Sequence, residues 1–128
     1  MTRKVAICGS SSFPLDAAVG AQVVDTILGF GEDVLILTRG AGAFDAFVST
    51  VALVLGRRCF NYPGSSSNWQ RDIELAFDAN ELVAFLDPAV LDNPKTGTAH
   101  LIECALAAGK PVRVATPVEG TLVWARAS

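Results

Sequence analysis

One stretch of the sequence decides the fold: Asp33-Val-Leu-Ile-Leu-Thr-Arg-Gly-Ala-Gly-Ala-Phe-Asp45. Its first half is a continuous aliphatic run, which is typical of a strand covered on both faces of a sheet. A glycine-rich turn and a second apolar segment, 46–55, follow directly. Composition allows this segment to be strand or helix, but its length and its place after the turn favour a helix. The stretch therefore predicts a strand–turn–helix unit.

The same unit recurs along the chain. Apolar runs predict further strands at 4–8, 57–62, 81–86 and 112–115, and helical spacing of apolar residues predicts helices at 14–28, 69–77 and 99–108. Residues 121–124 are expected to add a short edge strand. Strands that alternate with helices imply right-handed βαβ crossovers. We therefore expect an α/β fold: a single Rossmann-like three-layer domain over residues 1–128, with a mostly parallel sheet of about five strands flanked by helices.

Composition excludes several classes of protein. The chain has 128 residues, of which 51% are hydrophobic and 18% charged, and its net charge is −3. The apolar content excludes disorder, and no apolar run approaches the length of a membrane span. The acidic balance argues against a duplex DNA binder. The amino end lacks the pattern of a secretory signal, so a cytoplasmic protein is expected. Three widely spaced cysteines and one histidine predict no disulfide framework, no metal site and no cofactor.

Four loops follow predicted strands, at 9–13, 39–45, 63–72 and 87–98, and all are rich in Gly, Ser or Thr. In an open parallel sheet such loops converge at the carboxyl edge, where ligands bind. Small residues at helix starts leave backbone N–H groups free to bind an anion. Neither the full dinucleotide fingerprint nor the P-loop pattern is present. The loops predict a pocket for a phosphorylated, nucleotide-like ligand.

Candidate ligand-binding residues lie in these loops and in the helix turns that follow them. Arginine is suited to phosphate because its guanidinium offers a bidentate fork. Each candidate also has an ordinary structural interpretation, such as a tight turn, a surface salt bridge or a surface histidine. Trp69 either stacks on a base or anchors its helix. The candidates are Gly9, Ser10, Ser11, Arg39, Gly40, Gly42, Arg71, Thr96, Gly97, Thr98 and His100.

Carboxylates at the same edge raise the alternative of an enzyme. Cleavage of an N-glycosidic bond needs a carboxylate near the anomeric carbon, which stabilises an oxocarbenium-like transition state. Asp45 could serve there, bind ribose hydroxyls, or cap the following helix. The candidate catalytic residues are Glu103, Asp45 and Asp72, and Asp87 is a further carboxylate at this edge.

Several segments together resemble a known family. They are Val5-Ala-Ile-Cys-Gly-Ser10, Thr38-Arg-Gly-Ala-Gly-Ala-Phe-Asp45, Arg71-Asp72 ahead of Leu82-Val-Ala-Phe85, and Gly97-Thr-Ala-His-Leu-Ile-Glu-Cys-Ala105 followed by Ala108-Gly-Lys-Pro-Val112. Their order resembles the SLOG superfamily, the Rossmann-like group that includes the DprA/Smf and LOG proteins, and is most similar to its short phage and bacterial members. The resemblance implies a nucleotide or nucleotide-derivative site lined by Gly9, Ser10, Arg39, Gly40, Gly42, Gly97 and Thr98.

The family contains both enzymes and binding proteins. Some members cleave the N-glycosidic bond of nucleoside monophosphates, and others sense nucleotide ligands or bind single-stranded DNA. LOG-type enzymes carry Pro-Gly-Gly before Gly-x-Gly-Thr and a Glu two to three residues after the Thr. Here Asn93-Pro-Lys-Thr96 precedes Gly97-Thr98, and His100 and Leu101 stand at those Glu positions. The departures favour a nucleotide sensor or binding module over a LOG-like phosphoribohydrolase or a deoxyribosyltransferase-type enzyme.

The apolar segment 44–55 also predicts a protein partner. Its large apolar side chains surround the presumed helix almost completely, and one sheet covers only one side of a helix. We therefore expect a homodimer or higher homo-oligomer that binds a small nucleotide, with no duplex DNA and no membrane as partner. The side chains are those of Phe44, Phe47, Val48, Val51, Leu53, Val54 and Leu55.

Overall fold

The computed structural model describes residues 2–10, 12–39, 42–62, 68–87, 97–118 and 121–127, and in these ranges six strands form one sheet. The strands are β1 (Arg3–Gly9), β2 (Val34–Thr38), β3 (Arg58–Asn61), β4 (Glu81–Phe85), β5 (Val112–Val118) and β6 (Thr121–Arg126). The helices that connect or flank them are α1 (Ala17–Gly29), α2 (Gly42–Val54), α3 (Asn68–Asp78) and α4 (Gly97–Ala107).

The order of the strands in the sheet is β3-β2-β1-β4-β5-β6. The pairs from β3 to β5 are all parallel, whereas β6 pairs with β5 antiparallel. The α/β, mostly parallel Rossmann-like fold expected from the sequence is therefore confirmed. At the carboxyl edge Gly9 is in register with Phe85, and Thr38 with Asn61. The loops after β1, β2 and β4 consequently start side by side.

Helices cover both faces of the sheet. Successive strand residues point to opposite faces, so each central strand contributes side chains to two cores. Val5 and Ile7 of β1 belong to a core that includes residues of α1 and α2. Ala6 and Cys8 belong to a second core that includes residues of α3 and α4. Both faces of the central strands therefore find apolar partners within the chain. In the part of the chain that the structure describes, no helix is long and apolar enough to span a membrane.

The ends of α1 and α2 follow from local chemistry. The Asp16 carboxylate accepts a hydrogen bond from the backbone N–H of Val19 at 2.9 Å, which caps α1. Pro14, expected at the first helical position, lies before this cap because Asp16 supplies the helix start. The helix α2, expected over 46–55, already begins at Gly42, whose positive φ of 83° favours glycine.

The apolar surface of α2 is covered from more than one side. Phe44, Val48 and Val51 are buried in the core between α2, α1 and the sheet. The ring of Phe47 packs on α1, where a Cβ added to Gly20 would lie 3.4 Å from it. The two large side chains near the carboxyl end, Leu53 and Val54, are each 78% exposed. The helix α1 therefore covers part of α2 that the sequence left without a partner, and the homo-oligomer stays a prediction.

Candidate functional site

The buried polar side chains of the described residues gather at the carboxyl edge of the sheet. There the ends of β1 and β2 meet the first turns of α2, α3 and α4. Burying a polar or charged group costs free energy unless it is paired, so such a cluster marks a specialised region. Its members are Ser10, Thr38, Arg39, Asp45, Arg71, Asp72 and Thr98.

Arg39 connects three elements at this edge. Its side chain is 5% exposed, and its Nε lies 3.2 Å from Oδ2 of Asp45 in α2. Its Nη2 donates to the backbone oxygen of Gly9 and to Oγ1 of Thr98, both at 2.9 Å. Burial opposes the charged guanidinium, but Cys8, Asp45 and Asp72 outweigh it and raise the pKa of Arg39. Arg39 therefore holds β1, α2 and α4 together as a permanent cation.

Gly9 belongs to the same framework. Its N–H donates to Oδ1 of Asp45 at 3.1 Å, and its carbonyl accepts from Arg39. A Cβ at this position would lie 2.3 Å from the ring of Phe44, so glycine is required for the close approach of that ring. Both backbone polar groups of Gly9 and the carboxylate of Asp45 consequently have partners inside the protein.

Arg71 differs from Arg39 in its hydrogen bonds. Its side chain is 5% exposed and its Nη2 lies 3.4 Å from Oδ1 of the adjacent Asp72. Its Nε is buried and has no hydrogen-bond partner among the described residues. Such an unmade hydrogen bond costs about 1–3 kcal/mol. A donor of this kind at the start of a helix is an atom that a ligand can satisfy.

The two guanidinium groups converge on the start of α4. A Cβ added to Gly97 would lie 2.6 Å from Nη1 of Arg39 and 3.9 Å from Nη2 of Arg71. Thr98, the next residue, is buried, and its hydroxyl accepts from Arg39. The first backbone N–H groups of a helix have no partner within that helix and carry the positive end of its dipole. Guanidinium and backbone N–H donors are thus concentrated at this helix start, beside the two aspartates that pair with the arginines.

An aromatic surface adjoins the same helix start. The Nδ1 atom of His100 lies 3.0 Å from Oδ2 of Asp72, and its Nε2 lies 3.5 Å from Sγ of Cys104. Its ring stacks on Trp69, with the centroids 5.9 Å apart and the planes inclined by 22°. Trp69 is 61% exposed, so its ring extends into solvent and is not a core anchor. His100 in turn is held by a carboxylate and is not a free surface side chain.

The remaining candidates lie in different surroundings. The Oγ atom of Ser10 accepts from the backbone N–H of Asp87 at 3.2 Å, and Asp87 also accepts from Ser12. Asp87 is half-buried, whereas Asp45 and Asp72 are buried and Glu103 is exposed on α4. Gly42 begins α2. The structure therefore brings together most of the predicted site. Ser11, Gly40 and Thr96 lie outside the described residues.

Three residues of this region are absent from the candidates proposed from sequence. Phe44 covers Gly9, and its place directly after the glycine-rich turn was the available signal. Cys104 contacts His100, a contact that i, i+4 spacing on a helix allows. Cys8 lies beneath the charged cluster, where burial raises the pKa of its thiol to about 12. Among the described residues, no group of three His, Cys, Asp or Glu side chains could hold a metal ion.

Comparison with known proteins identifies the fold. No family model and no curated protein matches the chain. The X-ray structure of DNA processing protein A (DprA) from Streptococcus pneumoniae matches it with a TM-score of 0.70 and 15% sequence identity. The chain shares the fold of the matched part of DprA. The match covers 87% of this chain and 49% of that protein, so the chain spans about half of its length. At this identity the likeness shows the fold alone.

Proposed function

We propose that the carboxyl edge of the sheet binds a nucleotide or a nucleotide-derived ligand, and that the protein is a sensor or ligand-binding module. The observation that carries the proposal is the buried, unpartnered Nε of Arg71 beside the first turn of α4. A phosphate oxygen at this point would accept that hydrogen bond and those of the first N–H groups of α4. One anionic group would then satisfy donors of two different elements.

The neighbouring aromatic surface supports a nucleotide over a simple phosphate. Trp69 is stacked on His100 on one side, yet 61% of its surface is exposed. An exposed indole next to an anion site is suited to stacking on a base, which contributes about 1–3 kcal/mol. His100 lies in the first turn of α4 and connects this platform to the anion site. A phosphate and a planar base therefore both have complementary groups at the start of one helix.

Binding without hydrolysis is favoured by the carboxylates. Asp45 and Asp72 are buried, and each lies next to an arginine. Neither is free to approach an anomeric carbon, and the side chain of Glu103 is exposed on α4. The half-buried Asp87 is the carboxylate through which N-glycosidic cleavage, the alternative function, is best tested.

The experiment is calorimetric titration with a panel of nucleoside monophosphates and dinucleotides. We expect one of them to bind, and Arg71→Gln and Trp69→Ala each to weaken its affinity by about tenfold. The matched control is Arg58→Gln, because Arg58 is exposed and is the first residue of β3, at the edge of the sheet opposite to the candidate site. Trp69→Ala keeps the test valid if Arg71→Gln unfolds, since Trp69 is exposed.

Three outcomes would contradict the proposal. The first is unchanged affinity in both Arg71→Gln and Trp69→Ala. The second is that the protein releases free base from a nucleotide, as detected by chromatography, and that Asp87→Asn abolishes this release. The second outcome would replace the binding module by the N-glycosidic hydrolase or transferase. Absence of binding by the whole panel would reject a nucleotide as ligand.

A further inference from the structure

A cavity of about 580 Å³ lies at the opposite, amino edge of the sheet. Its lining comes from the starts of β1, β4 and β5, the end of β6 and the carboxyl end of α1. The candidate nucleotide site lies where the strands end, so the sheet separates the two regions. Nothing in the proposed function uses this cavity.

Arginine is concentrated in the lining. Three of the ten Lys and Arg residues of the chain, Arg3, Arg113 and Arg126, contribute to it, although the net charge of the chain is −3. Arg3 forms a salt bridge with Glu81, which also lines the cavity. No salt bridge joins Arg113 or Arg126 to a carboxylate of the described residues. Positive charge on the β5–β6 side of the cavity is therefore not neutralised by a neighbouring carboxylate.

The positions of the two arginines make this charge costly. Arg113 and Arg126 are direct partners in the antiparallel β5–β6 pair. Side chains at directly opposite positions project from the same face of a sheet, and like charges there are destabilising. The guanidinium of Arg113 is held 5.8 Å from the ring centroid of Phe30 and 5.6 Å from that of Trp124. The aromatic rings fix Arg113 beside Arg126 without neutralising either charge.

We propose that this cavity binds a small polyanion whose phosphate or carboxylate groups bridge Arg113 and Arg126. A guanidinium presents a planar fork of donors that matches both groups, and an anion between two forks would remove their repulsion. Asp25, at the α1 side of the cavity, repels anions there and confines the ligand to the β5–β6 side. The ligand class is thus a compact anion with at least two acidic groups.

The test uses two probes, tripolyphosphate and citrate, in calorimetric and thermal-unfolding titrations of the whole chain. A ligand that binds only the folded state raises Tm in proportion to its occupancy. We expect at least one probe to bind, and Arg113→Gln combined with Arg126→Gln to weaken that binding by at least about tenfold. Arg58→Gln is the matched control, because Arg58 is exposed on β3 and does not line the cavity. Tighter binding of tripolyphosphate assigns phosphate, and tighter binding of citrate assigns carboxylate.

A single substitution separates a ligand site from a structural role. Without a probe, Arg126→Gln should raise Tm at low salt because it removes the repulsion across β5 and β6. With the probe, the same variant should gain less stability than the wild type. The proposal is overturned if neither probe binds the wild type, or if Arg58→Gln weakens binding as much as the double substitution. The double substitution is tested with these two probes, whereas Arg71→Gln is tested with nucleotides, so failure here and failure of the nucleotide site are distinguishable.

Discussion

The Nε atom of Arg39 lies 3.2 Å from Oδ2 of Asp45, and the two side chains are 5% and 0% exposed. A buried ion pair contributes little net stability compared with an apolar pair, but removal of one partner leaves an uncompensated charge. Because Arg39 also donates to Gly9 and Thr98, the pair fixes the start of α4 relative to β1. The pair therefore positions the helix start that carries the candidate anion site.

Arg39→Met should lower the free energy of unfolding by about 3–5 kcal/mol, because it leaves the Asp45 carboxylate buried without its cation. Urea unfolding measures the change. Arg58→Met is the control: it removes an exposed pair with Asp33, and we expect a change below about 1 kcal/mol. Combining Arg39→Met with Asp45→Leu should recover much of the loss. Equal losses of stability in Arg39→Met and Arg58→Met would show that Arg39 does not organise this edge.

Gly97→Ala should destabilise the protein by about 1–3 kcal/mol, because the added Cβ would lie 2.6 Å from Nη1 of Arg39 and displace it. Displacement of Arg39 should also weaken the ligand identified for the carboxyl edge. Gly29→Ala is the matched control, since no atom lies within 4 Å of a Cβ there and the residue is helical. That change should stabilise by about 0.5–1 kcal/mol. Thermal unfolding measures the stability of both variants, and titration measures their ligand affinity. Unchanged stability in Gly97→Ala would contradict the prediction.

Strand and helix identities could be predicted from sequence because they depend on local periodicity and turn residues. The run before Thr38 and the turn after it were sufficient to predict β2, α2 and the loop between them. The roles of Arg39 and Arg71 could not be separated in this way. Both follow the same pattern, an arginine near a helix start, and the difference arises from which backbone and side-chain acceptors the tertiary fold places beside each. Sequence spacing does not contain that information.

The apolar residues of α2 illustrate a related limit. Their number correctly indicated a helix that packs against neighbours on several sides, but the sequence did not show that α1 is one of these neighbours. The prediction of a homo-oligomer is now confined to Leu53 and Val54, each 78% exposed. We expect a dimer at micromolar concentration by light scattering, and Leu53→Lys with Val54→Lys should yield a monomer without loss of Tm. Cations at a helix carboxyl end are favourable, so the substitutions should not unfold α2. A monomeric wild type would refute the contact.

Stability should fall in alkaline solution through Cys8. Burial raises the pKa of its thiol from 9.0 to about 12; to a smaller extent the neighbouring arginines lower this pKa and the neighbouring aspartates raise it. Below pH 9 the thiol is protonated in the folded and the unfolded chain, so it causes no pH dependence. Above pH 9 only the unfolded chain loses the proton, and stability therefore decreases up to about pH 12. The slope from this one group is at most about 1.4 kcal/mol per pH unit.

Comparison of the wild type with Cys8→Ala isolates this effect. Urea unfolding in buffers from about pH 8 to 10.5 should give a shallower pH dependence for the variant, although its stability at neutral pH is lower because a buried side chain is shortened. Burial and the hydrogen bond to Asp78 also raise the pKa of Tyr62, so some pH dependence should remain in Cys8→Ala and decrease further with Tyr62→Phe. The same dependence of stability on pH in the wild type and in Cys8→Ala would mean that the Cys8 thiol is not buried.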